Sequence, residues 1–127
     1  MTQNEKDLLL KDLCARLPYF TKVQIKNEIV VLDSICDDDG YHFNFIGDDR
    51  EGVNIENIKP YLFPLSSMTE EQKREFDIAM DMGYAAAYNA EINCANRMID
   101  FFNKYHLDYR GLIPMELAID ATGLNIY

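Results

Sequence analysis

Ile58–Phe76 reads IKPYLFPLSSMTEEQKREF, and it divides the chain into two rhythms. Before it, apolar residues alternate as strands require; after it, they recur every three or four residues as helices require. Pro60 and Pro64 bracket an apolar piece and are expected to keep it out of the middle of a sheet. Thr69-Glu70-Glu71-Gln72 fits a capping box, with a second fit at Ser67 two residues earlier. Glu70, Glu71 and Glu75 then sit near the positive end of the helix dipole. This acidic turn reads as a helix start rather than a binding patch.

Towards the N-terminus, Val53 and Ile55 mark a short fourth strand, and residues 47–52 form a loop. Tyr41–Ile46 alternates, with Tyr41, Phe43 and Phe45 on one face and His42 and Asn44 on the other. The aromatics are expected in the core under a helix. Cys36-Asp37-Asp38-Asp39-Gly40 is a turn cluster. Glu28–Ile35 is a more continuous apolar strand, Asn27-Glu28 a tight turn, and Thr21–Lys26 an alternating strand carrying Val23 and Ile25. Connections this short favour an antiparallel meander, twisted or curled. Thr2–Glu5 can cap a first helix, in which Leu9, Leu10, Leu13, Cys14 and Leu17 share a face. Lys6, Asp7, Lys11, Asp12 and Arg16 fill the opposite face, and Pro18 ends the helix. Its mixed charges suit packing on the sheet better than a membrane surface.

Towards the C-terminus, Phe76, Ala79 and Met80 give the capped helix an apolar side. Gly83 suggests a kink or break near Met82–Tyr84. Beyond it, Ala85, Tyr88, Ile92, Ala95, Ile99 and Phe102 form a stripe, widened by Cys94, Met98, Phe101 and Tyr105. The stripe is expected to pack on the domain's own sheet, with a seam between two protomers as the alternative. The fold class is therefore α+β: an N-terminal helix, a small antiparallel curled sheet of about four strands, then a long or broken helical segment. Residues 1–127 are expected to form a single domain.

With 48% hydrophobic residues, the core needs no disulfide or metal to hold it. Three cysteines, Cys14, Cys36 and Cys94, lie far apart without a CxxC, which suits reduced thiols. MTQNEKD has no basic-then-apolar signal pattern. The charge-free run Met82–Ala90 is far short of the ~20 residues that span a bilayer. A cytoplasmic protein with no membrane partner is expected.

Lys11–Tyr19 (KDLCARLPY), Ile58–Glu71 (IKPYLFPLSSMTEE) and His106–Ile113 (HLDYRGLI) resemble a family of small uncharacterised proteins from prophage-like and other mobile regions of gut anaerobic bacteria. The pieces cover about a quarter of the chain, in the family's order. The resemblance implies a mobile-element setting and an intracellular location; it implies no catalytic residue.

Chemistry-bearing patterns are few. Asp37–Asp39 and Asp48, Asp49 and Glu51 miss the calcium-loop spacing, and the strand between them should hold them on the order of 20 Å apart. His42 and His106 fit no metal spacing. A Cys36–His42 dyad lacks a positive group to activate the thiol. No catalytic residue, cofactor or metal is therefore expected. The densest polar cluster, His106, Asp108, Tyr109 and Arg110, is the candidate interaction patch, against a reading as helix termination and local salt bridging. Net charge is −10, with 22 acidic and 12 basic residues, which argues against nucleic acid as a partner. Three functions stay open: a non-catalytic interaction or accessory protein of a mobile element, with a protein partner or as a homodimer; an acidic inhibitor that mimics nucleic acid or captures a basic protein; and a small enzyme whose site the sequence does not show.

Overall fold

The computed structural model describes residues 1–85 and 89–127. Helix α1 (Gln3–Ala15) starts on a capping box: the Thr2 hydroxyl accepts from the Glu5 amide, and the Glu5 carboxylate accepts from the Thr2 amide. Strands β1 (Lys22–Ile25), β2 (Glu28–Asp37) and β3 (Tyr41–Phe45) form the expected antiparallel meander. The β1–β2 turn is Lys26-Asn27, both at positive φ, the geometry that matches the twist of a two-residue hairpin.

Strand β4 (Lys59–Leu62) and the two-residue β5 (Ile119–Asp120) complete an open, mixed sheet of order β3-β2-β1-β4-β5. β4 runs antiparallel to β1 and parallel to β5. Three expectations are corrected here. The fourth strand lies at Lys59–Leu62, while Ile55–Asn57 is a single 3-10 turn. Pro60 sits inside the sheet after all: of β4, only Lys59 and Pro60 pair with β1, and pairing with β5 begins at Tyr61, so the proline falls where one neighbour ends and the next begins. β2 also runs on through Cys36 and Asp37, which leaves Asp38–Gly40 as the turn.

Leu9 and Leu13 of α1 pack on Val23, Ile25, Leu32, Phe43, Phe45, Ile58 and Leu62 to make the core. Tyr41 departs from the expectation and is 54% exposed. Opposite it, the early turns of α1 offer Gln3, Lys6 and Asp7, with Leu10 as the apolar neighbour.

Helices α2 (Glu70–Ala85) and α3 (Ala90–Lys104) form an antiparallel pair. The Thr69 capping box forms as read, Gln72 N–H donating to the Thr69 hydroxyl at 3.1 Å and Thr69 N–H to Gln72 Oε1 at 2.9 Å. The helices pack chiefly on each other, not on the sheet as expected. Gly83 causes no break: it is buried within α2, and a Cβ there would lie 2.8 Å from Cys94 Sγ. It is the point of close approach between the helices. The inward stripe of α3 is accordingly Cys94, Met98, Phe101 and Tyr105, one position away from the expected centre, and Ile92, Ala95 and Ile99 face solvent. Tyr88, of the expected stripe, lies outside the described residues. At the base of the pair, Phe76 meets Phe101 and Phe102, and Glu75 accepts from Lys104 at 2.8 Å and from the Tyr105 hydroxyl.

Candidate interaction sites

After α3 the chain turns at His106 (φ 56°) and runs beside Phe63. Phe63 N–H donates to His106 O, and Asp108 N–H to Phe63 O, both at 2.8 Å. This extension of the β4 edge fixes the four residues of the candidate patch, and it turns much of their chemistry inward. The buried Asp108 carboxylate accepts from the amides of Leu112 and Ile113 at 2.8 and 2.9 Å, closing the turn that follows. The Tyr109 ring stacks on Phe102 and lies beneath the guanidinium groups of both Arg16 and Arg110.

Two residues complete this cluster that the sequence reading placed on the solvent face. Asp12 and Arg16 are 0% exposed. Arg16 Nε donates to Asp12 Oδ2 at 2.8 Å and Nη2 to Leu107 O at 2.7 Å, and Arg110 Nε lies 3.2 Å from Asp12 Oδ1. Asp12 thus bridges two arginines and ties α1 to the segment after α3. A signal was present: residues 9, 12, 13 and 16 share one helical face, so Leu9 and Leu13 carry Asp12 and Arg16 inward with them.

The half-buried His106 stacks on Tyr127 with ring centroids 3.8 Å apart. Burial lowers its pKa to about 4, and the charges of Arg16 and Lys22 push the same way. The imidazole is therefore neutral at neutral pH. The Tyr127 hydroxyl donates to Tyr61 O at 2.8 Å and accepts from Lys22 N–H at 3.0 Å; burial of this end raises the phenol to about 12. These groups fasten the C-terminus to the sheet.

Cys36 and His42 are directly opposed on β2 and β3, both exposed. The His42 ring donates from Nε2 to Asp38 O at 2.7 Å, and Asn44 contacts Cys36 Sγ at 3.8 Å and Ser34 Oγ at 3.1 Å. The imidazole is thus held by the turn backbone rather than by the thiol. In the other acidic loop, the Arg50 side chain bonds Asp48 at 2.8 Å and also reaches Glu28; the Arg50 side chain and its backbone N–H hold the Asp48 carboxyl below its usual range. Among the described residues, no three His, Cys, Asp or Glu side chains gather as metal ligands. None of the described helices is long and apolar enough to cross a membrane.

Two further surfaces stand out among the described residues. The helical pair presents Ile78 (61% exposed) and Met82 on α2, and Ile92 (60%) and Ile99 on α3. The second surface is the outer edge of β3. Ile46 N–H donates inward to Val31 O, and Phe45 O accepts from Asp48 on the other side. Alternation along the strand then turns the main chain of His42 and Asn44 towards β2, and that of Tyr41 and Phe43 outward. Beside this edge runs a cleft of about 640 Å³, with Glu51, Gly52 and Val53 as its far wall. It adjoins a second cleft of about 210 Å³ between β3 and α1, where Leu10, Tyr41, Phe43, Val53 and Ile55 supply an apolar lining. Tyr41, Phe43 and Val53 are common to both.

Comparison with protein-family models, with curated proteins and with solved structures finds no match for this chain.

Proposed function

We propose that this chain is a non-catalytic interaction protein that holds an extended segment of a protein partner along the open edge of β3. The observation that carries this reading is the conjunction of outward-facing main chain at Tyr41 and Phe43 with an apolar-lined cleft beside it. Strand addition uses such parts: edge amides and carbonyls bind the partner's main chain, and a neighbouring hollow selects its side chains. Exposed edges also invite unwanted pairing, and the carboxylates at both ends of β3 limit that hazard. An accessory role in a mobile element, inside the cell, accords with the resemblance of KDLCARLPY, IKPYLFPLSSMTEE and HLDYRGLI.

The other readings draw less support. Carboxylates are distributed over α1, α2, α3 and the two loops flanking β3 rather than set on one face, which does not favour a nucleic-acid mimic. His106 stacks on Tyr127, Arg110 joins the Asp12 cluster, and neither lines a cleft at β3, which does not favour an enzyme.

Selection of displayed random peptides on the intact protein tests the proposal. Selected peptides are expected to slow hydrogen exchange at the Tyr41 and Phe43 amides. Selection of no peptide, or of peptides that leave both amides exchanging freely, overturns it.

A further inference from the structure

We infer that the segment bound at β3 is a basic one: an extended peptide that alternates aliphatic residues with lysine or arginine. The inference rests on the proposed function and names its partner's chemistry.

The argument is one of charge complementarity around the edge. The cations nearest the clefts are already engaged. Lys6, which lines the smaller cleft, pairs with Glu56 at 2.6 Å; Arg50 is held between Asp48 and Glu28. The exposed carboxylates of Asp37, Asp38, Asp39, Asp49 and Glu51 form no ion pair among the described residues. The first three stand at one end of β3, Asp49 lies in the loop that follows the other end, and Glu51 lines the far wall of the larger cleft, so a strand laid along the edge meets negative charge at its ends and beside it. Lysine or arginine there gains attraction and a faster encounter, and aspartate or glutamate is repelled. Between the ends, successive side chains of an added strand point to opposite faces of the sheet. Those on the α1 side meet Leu10, Tyr41, Phe43 and Val53, which suits aliphatic residues; those on the other side pass His42 and Asn44 and meet solvent.

The same charges argue against a second copy of this chain as occupant. Antiparallel pairing of two β3 edges would set the 37–39 turn of each copy against the 48–51 loop of the other, carboxylate against carboxylate. A net charge of −10 adds repulsion over longer range.

The test compares three eight-residue peptides with the same alternating valine or isoleucine positions. Lysine, glutamate or serine fills the rest. Binding is read by fluorescence anisotropy at low and moderate salt, and its location by exchange at the Tyr41 and Phe43 amides. The lysine peptide is expected to bind at least about tenfold more tightly than the serine one, to weaken with salt and to protect both amides. The exposed charge reversals Asp39→Lys and Glu51→Lys together should erase that preference. Equal or tighter binding of the serine or glutamate peptide, with both amides protected, overturns the basic partner and leaves strand addition standing. A lysine peptide that binds without protecting the amides also overturns the inference, since its attraction is then to charge alone. If none of the three binds while a selected peptide does protect the edge, the basic partner again fails by itself.

Discussion

Arg16 donates to the carboxylate of Asp12 one helical turn behind it, at 2.8 Å, and neither side chain reaches solvent. An ion pair so placed has lost its hydration and is held by its partners alone, so removing one member strands the other. Arg16→Met should destabilise the fold by about 3–5 kcal/mol, and Asp12→Ala by a similar amount, because two arginines then face an uncompensated site. Urea denaturation midpoints check both. Combining Asp12→Leu with Arg16→Met should recover only part of the loss, since an apolar pair leaves no orphaned charge at positions 12 and 16 while Arg110 still loses its partner.

The start of α2 can be assigned to one hydroxyl. Thr69 accepts from the Gln72 amide, whereas the Ser67 hydroxyl donates to Pro64 O at 2.7 Å and belongs to the preceding turn. Thr69→Ala should therefore cost about 1 kcal/mol. Ser67→Ala should leave the helix start in place, which circular dichroism alongside chemical denaturation would show.

Local signals were the legible ones. Both capping boxes, the meander from Lys22 to Phe45 and the apolar face of α1 follow from residues close together in sequence. What was misread depends on distant partners. Asp12 and Arg16 look like solvent-face charges until Arg110 is seen to stand 3.2 Å from Asp12 and the Leu107 carbonyl to accept from Arg16. Pro60 looks excluded from a sheet until its neighbours are known to end and begin beside it. The stripe on α3 has two phases of equal spacing, and contacts with α2, at Gly83 against Cys94 and Phe76 against Phe101, decide which one faces inward. His106, Asp108, Tyr109 and Arg110 read as a dense polar cluster, but sequence could not show that Asp108 caps a turn or that Tyr109 lies beneath two guanidinium groups. The cleft at β3 was not legible at all, because Leu10, Tyr41 and Val53 come from three separate elements of the chain.

Gly83 offers a test of how the helical pair closes. Alanine is favoured over glycine inside a helix by about 1 kcal/mol. Here the added Cβ would approach Cys94 Sγ to 2.8 Å and the Cys94 backbone to 3.2 Å. Overpacking of this kind costs about 1–3 kcal/mol and should win, so Gly83→Ala lowers stability. Cys94→Ala removes the sulfur but not the backbone contact. The double variant should show a favourable coupling above about 0.5 kcal/mol in a denaturation cycle.

His106 should make stability depend on pH over a defined window. Burial holds its folded-state pKa near 4, below the ordinary value of 6.5, with Arg16 and Lys22 opposing a further positive charge. Between these values the unfolded chain binds a proton that the folded chain refuses. Stability contributed by the neutral imidazole is therefore present above pH 6.5 and is lost as pH falls towards 4. The slope from one such group is at most about 1.4 kcal/mol per pH unit, and less to the extent that the half-buried ring is screened by water. Carboxylates whose pKa values are lowered, such as Glu75 beside Lys104, also cost stability in acid, so the wild-type curve alone does not isolate the histidine. His106→Asn does: asparagine tolerates the positive φ of 56° at this position and does not titrate. Subtracting the variant's denaturation free energies from those of the parent should leave a difference that rises between pH 4 and 6.5 and is level above it. A flat difference across the window would mean that the ring protonates as readily in the fold as in the unfolded chain.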